Sequence, residues 1–417
     1  MTQTAEYLQI LRQHECRDAS YLQADPPLIF HRAQACRVVD IEGRSYLDLC
    51  AGFGVMALGH HHPVHRAVFA ELAQEDAPVV HGMGDVYPSS AKAELFQYLS
   101  SLLPANLSVG SLALSGGQAV ELALKTALLR RPGKLINFSG SYHGLDLGLL
   151  PLTSRQDFRG PFQSWLKQDL VVELPYGCKK EELEAAIDAI HADGQDLSAI
   201  IVEPIQGRAG IRPASMQWLK DLRQLADSSG ALLIYDEVFT GLGRTGQWTF
   251  AEVVPCDLLC LGKALGGGLP LSACFGKAEY MNVWPENPGE AIHTGTFFGH
   301  PLACRLALAT LRFMASENLL QQAREKGQYF REALAARIGQ DPAVVEIRGQ
   351  ALMLGIVLRE VGMGVRLMND LRAQGVIALV SGQEGEVLSL TPPLIIEQKE
   401  IDQAVDAIGL RLGKWQK

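Results

Sequence analysis

The sequence predicts an α/β protein, with a mostly parallel central sheet covered by helices in a large domain and a smaller α+β domain beside it. Three observations lead there. Short, mainly apolar runs at 135–138, 199–202, 231–235 and 258–261 read as strands buried on both faces. Segments of helical period separate them, the alternation expected of parallel strands joined by crossover helices. After Pro301 the pattern changes to long helices followed by an alternating segment, which sets off the smaller domain.

Taken in order, residues 1–50 are helical and then strand-like around 37–46, too few for a domain and expected to pack onto the smaller one. Residues 51–305 form the predicted large domain and 306–417 the small one. Within the first, Val120, Ala123, Leu124, Ala127 and Leu128 line one stripe of a helix over 118–130, and Ser115 and Gln118 have capping-box spacing at its start. Trp218, Leu219, Leu222, Leu225 and Ala226 mark a covering helix between Pro213 and Gly230. Helices over 302–315 and 319–338, an alternating segment over 345–358 and a last helix over 399–412 complete the chain.

At 417 residues, with 47% hydrophobic and 20% charged residues, the composition is that of a globular protein with a large core. A net charge of -9 and the lack of a long basic run exclude a nucleic-acid-binding surface. The start carries no signal-like pattern, and no stretch approaches the roughly 18 apolar residues of a membrane span, so a cytoplasmic protein is expected. Eight cysteines are scattered; Cys50, Cys260 and Cys274 stand in apolar runs and read as small buried hydrophobes, without a disulfide framework. Cys256 and Cys260 lack a second pair, and His60-His61-His62 lies in a turn between Gly59 and Pro63, so no metal site is predicted.

The chemistry is concentrated where apolar strands end in polar residues. Lys263 follows the 258–261 run and precedes Gly266-Gly267-Gly268, and Asp236 and Glu203 end two other runs. In open parallel sheets, ligands bind outside the carboxyl ends of strands, so these three residues should converge. Gly116 and Gly117 fall at a helix amino terminus, where unpaired N–H groups and the helix dipole favour a phosphate. A lysine able to form a Schiff base, a buried carboxylate to hold a pyridinium nitrogen and a phosphate cradle together describe a site for pyridoxal 5'-phosphate (PLP). Tyr142 could lie on one face of the pyridine ring and Val238 on the other. Glu237 reads as a structural hydrogen-bonding residue.

These segments resemble the class III aminotransferases, PLP enzymes of fold type I. The resemblance runs through Gly59-His60-His61-His62-Pro63, the helix start at 115–125, Tyr142-His143-Gly144 and Glu203-Pro204-Ile205-Gln206-Gly207. It continues through Asp236-Glu237-Val238 with Gly241-Leu242-Gly243-Arg244-Thr245-Gly246, then 261–268, Thr294-Gly295-Thr296-Phe297 and Thr391-Pro392-Pro393-Leu394. It implies Lys263 as the Schiff-base lysine, Asp236 as the pyridinium partner, and Gly116, Gly117, Tyr142, Glu203 and Val238 as cofactor-binding residues. It further implies Thr296 reaching the phosphate from a neighbouring subunit of a homodimer, and a ping-pong exchange between an amine donor and a keto-acid acceptor.

Two departures bear on the substrate. Relatives that handle ornithine or 4-aminobutyrate pair a glutamate after Gln-Gly with an arginine ahead of Pro-Pro-Leu; here Arg208 and Ser389 stand at those positions, and Leu145 replaces an arginine common after His-Gly. Arg208 is expected either to bind a substrate carboxylate or to turn to solvent or to Glu384 or Glu386. Phe53, Phe239 and Leu145 suggest a pocket less polar than one for ornithine. The expected activity is transfer of an amino group from a primary amine or omega-amino acid to a 2-keto acid. An amino-acid racemase or aminomutase of the same family is the alternative, because the same lysine can return a proton without releasing a keto product. A noncatalytic binding protein of this fold is disfavoured by the retention of both Lys263 and Asp236.

Overall fold

Seven strands form the central sheet of the computed structural model, which describes residues 2–17, 19–20, 27–84, 86–286 and 289–415. Their order is Val109–Ala113, Ser272–Gly276, Leu258–Leu261, Leu232–Asp236, Leu197–Val202, Lys134–Phe138 and Val171–Leu174. Only Ser272–Gly276 runs antiparallel to its neighbours, so the carboxyl ends of the other six lie on one edge of the sheet. The apolar runs are continuous because both faces are covered, and alternate residues serve opposite layers. Ile201, Leu232, Ile234 and Cys260 pack with Ala119, Val120 and Ala123 of the Gly116–Arg130 helix. Ile200, Leu233, Tyr235 and Leu259 face the other way, toward Leu219 and Leu222 of the Met216–Ser229 helix.

The helix ends follow their local chemistry. Ser115 accepts from the Gln118 N–H while Gln118 reaches back to the Ser115 N–H, closing the expected capping box. Gly230, at φ 71°, ends the Met216–Ser229 helix in the left-handed conformation that glycine adopts freely. Ser215 caps the start of that helix, and Pro213 lies outside it in a short strand, Arg212–Pro213. The Pro301–Ser316 helix runs unbroken across position 305, where the sequence pattern places the start of the smaller domain.

Beyond it, the Leu319–Ile338 helix leads to an antiparallel sheet of Val344–Gln350, Met353–Leu358, Val387–Leu390 and Leu379–Ser381. The alternating segment over 345–358 is thus two strands of one hairpin. The amino-terminal strands Phe30–Gln34, Arg37–Asp40 and Ser45–Asp48 form their own sheet, closed by Val376–Ile377 pairing parallel to Ser45–Asp48. All eight cysteines are free thiols; Cys16 is exposed and the other seven are buried. In the histidine turn, His60 binds Asp48 at 2.8 Å and His62 caps the Pro63–Glu71 helix.

One buried ion pair ties the sheet to its helices. Asp257, 1% exposed, accepts from the Leu233 N–H at 2.8 Å and pairs with Arg223 at 2.7 Å and Lys277 at 2.8 Å. Removing Asp257 leaves the mostly buried Arg223 with only the exposed Asp227 as its partner, and leaves the Leu233 N–H unpaired in the sheet. Asp257→Ala should therefore cost about 3–5 kcal/mol, read as a lower midpoint in urea unfolding.

Candidate active site

The sheet edge that carries the carboxyl ends opens into a cavity of about 910 Å³. Lining it are Lys263, Asp236, Glu203, Gly116, Gly117, Tyr142 and Val238, together with Phe53 and Arg208. Each arrives from the end of a different element: Gly116 after Val109–Ala113, Tyr142 after Lys134–Phe138, Glu203 after Leu197–Val202, Asp236 from Leu232–Asp236 and Lys263 after Leu258–Leu261. Thr296 is exposed and is not among the residues that line the cavity.

Asp236 is 6% exposed. One carboxylate oxygen accepts from the Val238 N–H at 3.1 Å, and the other lies 2.8 Å from Nδ1 of His143. An ionised carboxylate only accepts, so His143 Nδ1 carries the proton in this contact. Burial opposes a charged imidazole, but the hydrogen bond and charge of Asp236 prevail and raise the His143 pKa. His143 Nε2 is buried without a hydrogen-bond partner.

Lys263 opens a short 3-10 turn, Lys263–Gly266, and the preceding strand ends at Leu261. Its φ of 39° is left-handed, a conformation that a non-glycine residue keeps only where its surroundings enforce it. The ammonium lies 4.4 Å from the centroid of the Phe239 ring. Burial lowers the Lys263 pKa against the opposing pull of Asp236 and Glu203. Glu203 accepts from the N–H groups of Tyr142 at 2.9 Å and Gly207 at 3.2 Å, and burial pushes its pKa up to about 7.

Gly116 and Gly117 form the first turn of the Gly116–Arg130 helix. A Cβ on Gly116 would come within 2.6 Å of Val238 Cγ1, so the glycine lets Val238 close onto the helix end. Asp146 lies in the space that a Cβ on Gly117 would need. Arg208 stacks over the rings of Tyr142 at 5.5 Å and Phe158 at 5.9 Å. It pairs with neither of the carboxylates weighed from sequence; Glu386 instead accepts from the Glu384 N–H at 2.9 Å. Ser389 is buried and hydrogen-bonded to Ser381, and Leu145 is a half-exposed apolar wall.

His143, Phe158 and Asp146 are among the lining residues that the sequence did not reveal. His143 and Asp236 are separated by 93 positions, and nothing in the local pattern links them, although His143 stands inside a motif already read. Phe158 and Asp146 come from the irregular segment between Lys134–Phe138 and Val171–Leu174, which carries no periodic signal. Glu237, by contrast, is structural as expected: it accepts from the Phe250 N–H at 2.7 Å and from Thr240 at 3.1 Å.

A family model described as Aminotransferase class-III matches residues 20–412. The chain belongs to the class III aminotransferases. The acetylornithine aminotransferase of Methanosarcina acetivorans is 35% identical to this aminotransferase over 388 residues, 92% of this chain and 91% of that protein. The LysW-aminoadipate semialdehyde transaminase of Deinococcus radiodurans is 35% identical over 91% of this chain and 85% of its own. Among solved structures, the ornithine aminotransferase of Toxoplasma gondii has a TM-score of 0.88 at 26% identity, covering 100% of this chain and 96% of that one. A second structure of the Toxoplasma enzyme carries PLP at partial occupancy in its active site. This aminotransferase therefore has the fold type I architecture and transfers amino groups.

Glu237 gives the site's surroundings a definite pH response. Burial raises its pKa from 4.5 to about 7, against hydrogen bonds that lower it. A raised carboxylate favours the folded state fully below its unfolded pKa, and that advantage is lost as the pH rises through the folded one. The stability of the wild type relative to Glu237→Gln should thus fall between about pH 4.5 and about pH 7, measured as the difference in thermal midpoints. A pH-independent difference would contradict this.

Proposed function

We propose that this class III aminotransferase takes an amino group from a primary amine or omega-amino acid and passes it to a 2-keto acid in a ping-pong exchange, with PLP held at Lys263. The observation that carries the reading is the meeting, in one cavity, of a left-handed lysine, a buried carboxylate backed by histidine and a glycine-rich helix amino terminus. The relatives named for acetylornithine and LysW-aminoadipate semialdehyde support a reacting group at the end of a carbon chain.

The residues present fit PLP. Gly116 and Gly117 form the amino-terminal turn of the Gly116–Arg130 helix, where the helix dipole and first-turn N–H groups suit its phosphate. The buried Asp236 carboxylate suits a protonated ring nitrogen, while Tyr142 and Val238 provide flat and branched apolar surfaces for the two ring faces. When bound, PLP supplies an electron sink for the carbon that bears the substrate amine.

Within this frame the protein's own groups divide the labour. His143 donates to Asp236 and orients that carboxylate. Glu203 fixes the backbone of Tyr142. Lys263 Nζ, its pKa lowered by burial, is the covalent anchor and then the base that moves a proton at the amine-bearing carbon. Phe53, Leu145 and Phe239 provide apolar walls for the donor, and Arg208 is the one guanidinium among the lining residues.

A homodimer is part of the proposal. Val80, Met83, Val86, Tyr87, Ile292 and Phe297 are exposed large apolar residues, and the two segments that carry them meet where His81 lies 5.2 Å from Phe297. Thr296, in the second segment, would then serve the neighbouring subunit's site. No helix among the described residues is long and apolar enough to cross a membrane, and the free cysteines support a cytoplasmic setting.

The test is the half-reaction. With PLP-loaded enzyme, an amine donor and no acceptor, one equivalent of carbonyl product per site is expected. A racemase or aminomutase would release none. Lys263→Ala should abolish the product, and Asp236→Asn should slow its formation by roughly a hundredfold to several thousandfold, the loss of about 3–5 kcal/mol from a broken buried charge pair.

A further inference from the structure

One carboxylate lining the cavity has no part in the chemistry above. Asp236 and Glu203 engage His143 and backbone N–H groups. Asp146 has neither: among the described residues its carboxylate makes no hydrogen bond and no ion pair within 4.0 Å. Lys263 and Arg208, which also line the cavity, are drawn to other carboxylates, Lys263 to Asp236 and Glu203 and Arg208 to Asp157.

The loop that carries Asp146 sets its place. The Leu149 and Leu150 N–H groups donate to the Asp146 carbonyl at 2.8 and 3.2 Å, and both leucines are buried. Before it in the chain, the Gly144 carbonyl accepts from Thr153 at 3.0 Å, and a Cβ on Gly144 would come 3.0 Å from Gly117 Cα. The loop therefore crosses directly over the first turn of the Gly116–Arg130 helix. There the Asp146 carboxylate fills the space that a side chain on Gly117 would need, with Oδ2 the nearest atom. Gly117 thus makes room for an anion at the helix amino terminus. The helix dipole stabilises an anion at that place, and it would stabilise a phosphate in the same way. Two anions at one terminus repel each other across a few ångströms.

We propose that Asp146 is a competitor for the cofactor's phosphate: its carboxylate and the phosphate contend for one helix terminus, so this chain holds PLP loosely. This rests on the PLP reading of the cavity. Only the aldehyde form of the cofactor is tied covalently to Lys263; the amine form, left after the donor has reacted, is held by noncovalent contacts alone. The repulsion therefore acts most on the amine form, which should leave the protein between half-reactions.

The experiment titrates cofactor-free wild type and Asp146→Asn with PLP, read by the visible absorbance of the lysine-bound cofactor. A parallel titration uses pyridoxal, which has the same ring and aldehyde but no phosphate. Asp146 is exposed, so an amide of the same size replaces the carboxylate without disturbing the core. Asp146→Asn should bind PLP roughly tenfold more tightly at low ionic strength, the low end for like charges a few ångströms apart. The gap should narrow toward unity at about 1 M salt, where the screening length is about 3 Å. Pyridoxal should bind the two proteins equally. With no cofactor present, inorganic phosphate should raise the thermal midpoint of Asp146→Asn more than that of wild type. After a donor is added without an acceptor, gel filtration should strip more cofactor from wild type than from Asp146→Asn. Equal or weaker PLP binding by Asp146→Asn, an equal gain for pyridoxal, or a gap indifferent to salt would overturn the proposal. Absence of lysine-bound absorbance from wild type at every PLP concentration would instead overturn the cofactor reading beneath it.

Discussion

A carboxylate at the end of a strand buried on both faces has to find a positive partner, and Asp236 sets that demand for the whole site. Its strand sits in the middle of the sheet, paired on one side with Leu258–Leu261 and on the other with Leu197–Val202. That register brings Lys263 and Glu203 to the same edge, one from each neighbour. His143 meets the demand from the protein side at 2.8 Å, and Asp236 also lines the cavity. The site's geometry is thus a consequence of strand order more than of any loop.

The lysine is held by constraint as well as by register. Its φ of 39° is kept by a turn whose flanking glycines leave little slack: a Cβ on Gly262 would come 3.1 Å from Val238, and one on Gly267 would come 2.7 Å from Thr310 Oγ1. Val238 also presses on Gly116, so one side chain spaces the lysine turn from the helix amino terminus. Strain of this kind persists only where packing over-determines it, and it is consistent with a lysine whose direction matters more than its comfort.

Much of this was legible in the sequence because it is written locally. Apolar runs marked the buried strands, Ser115 with Gln118 marked the helix start, and a polar residue after each run marked the carboxyl edge. What stayed hidden depends on contacts between distant positions. His143 gives no local sign that it serves Asp236, and Phe158 lies in irregular chain where periodicity carries no information. Arg208 was visible as a departure, but its setting between two rings was not. The Pro301–Ser316 helix was also legible, because its apolar positions recur at helical spacing.

The proposed chemistry requires Lys263 to be the residue that holds the cofactor. Reduction of the PLP-loaded enzyme with borohydride, followed by peptide mass spectrometry, locates the lysine that carries the label. A single label on Lys263 is the predicted result. A label on any other lysine, with Lys263 unmodified, would contradict the assignment of the site and everything built on it.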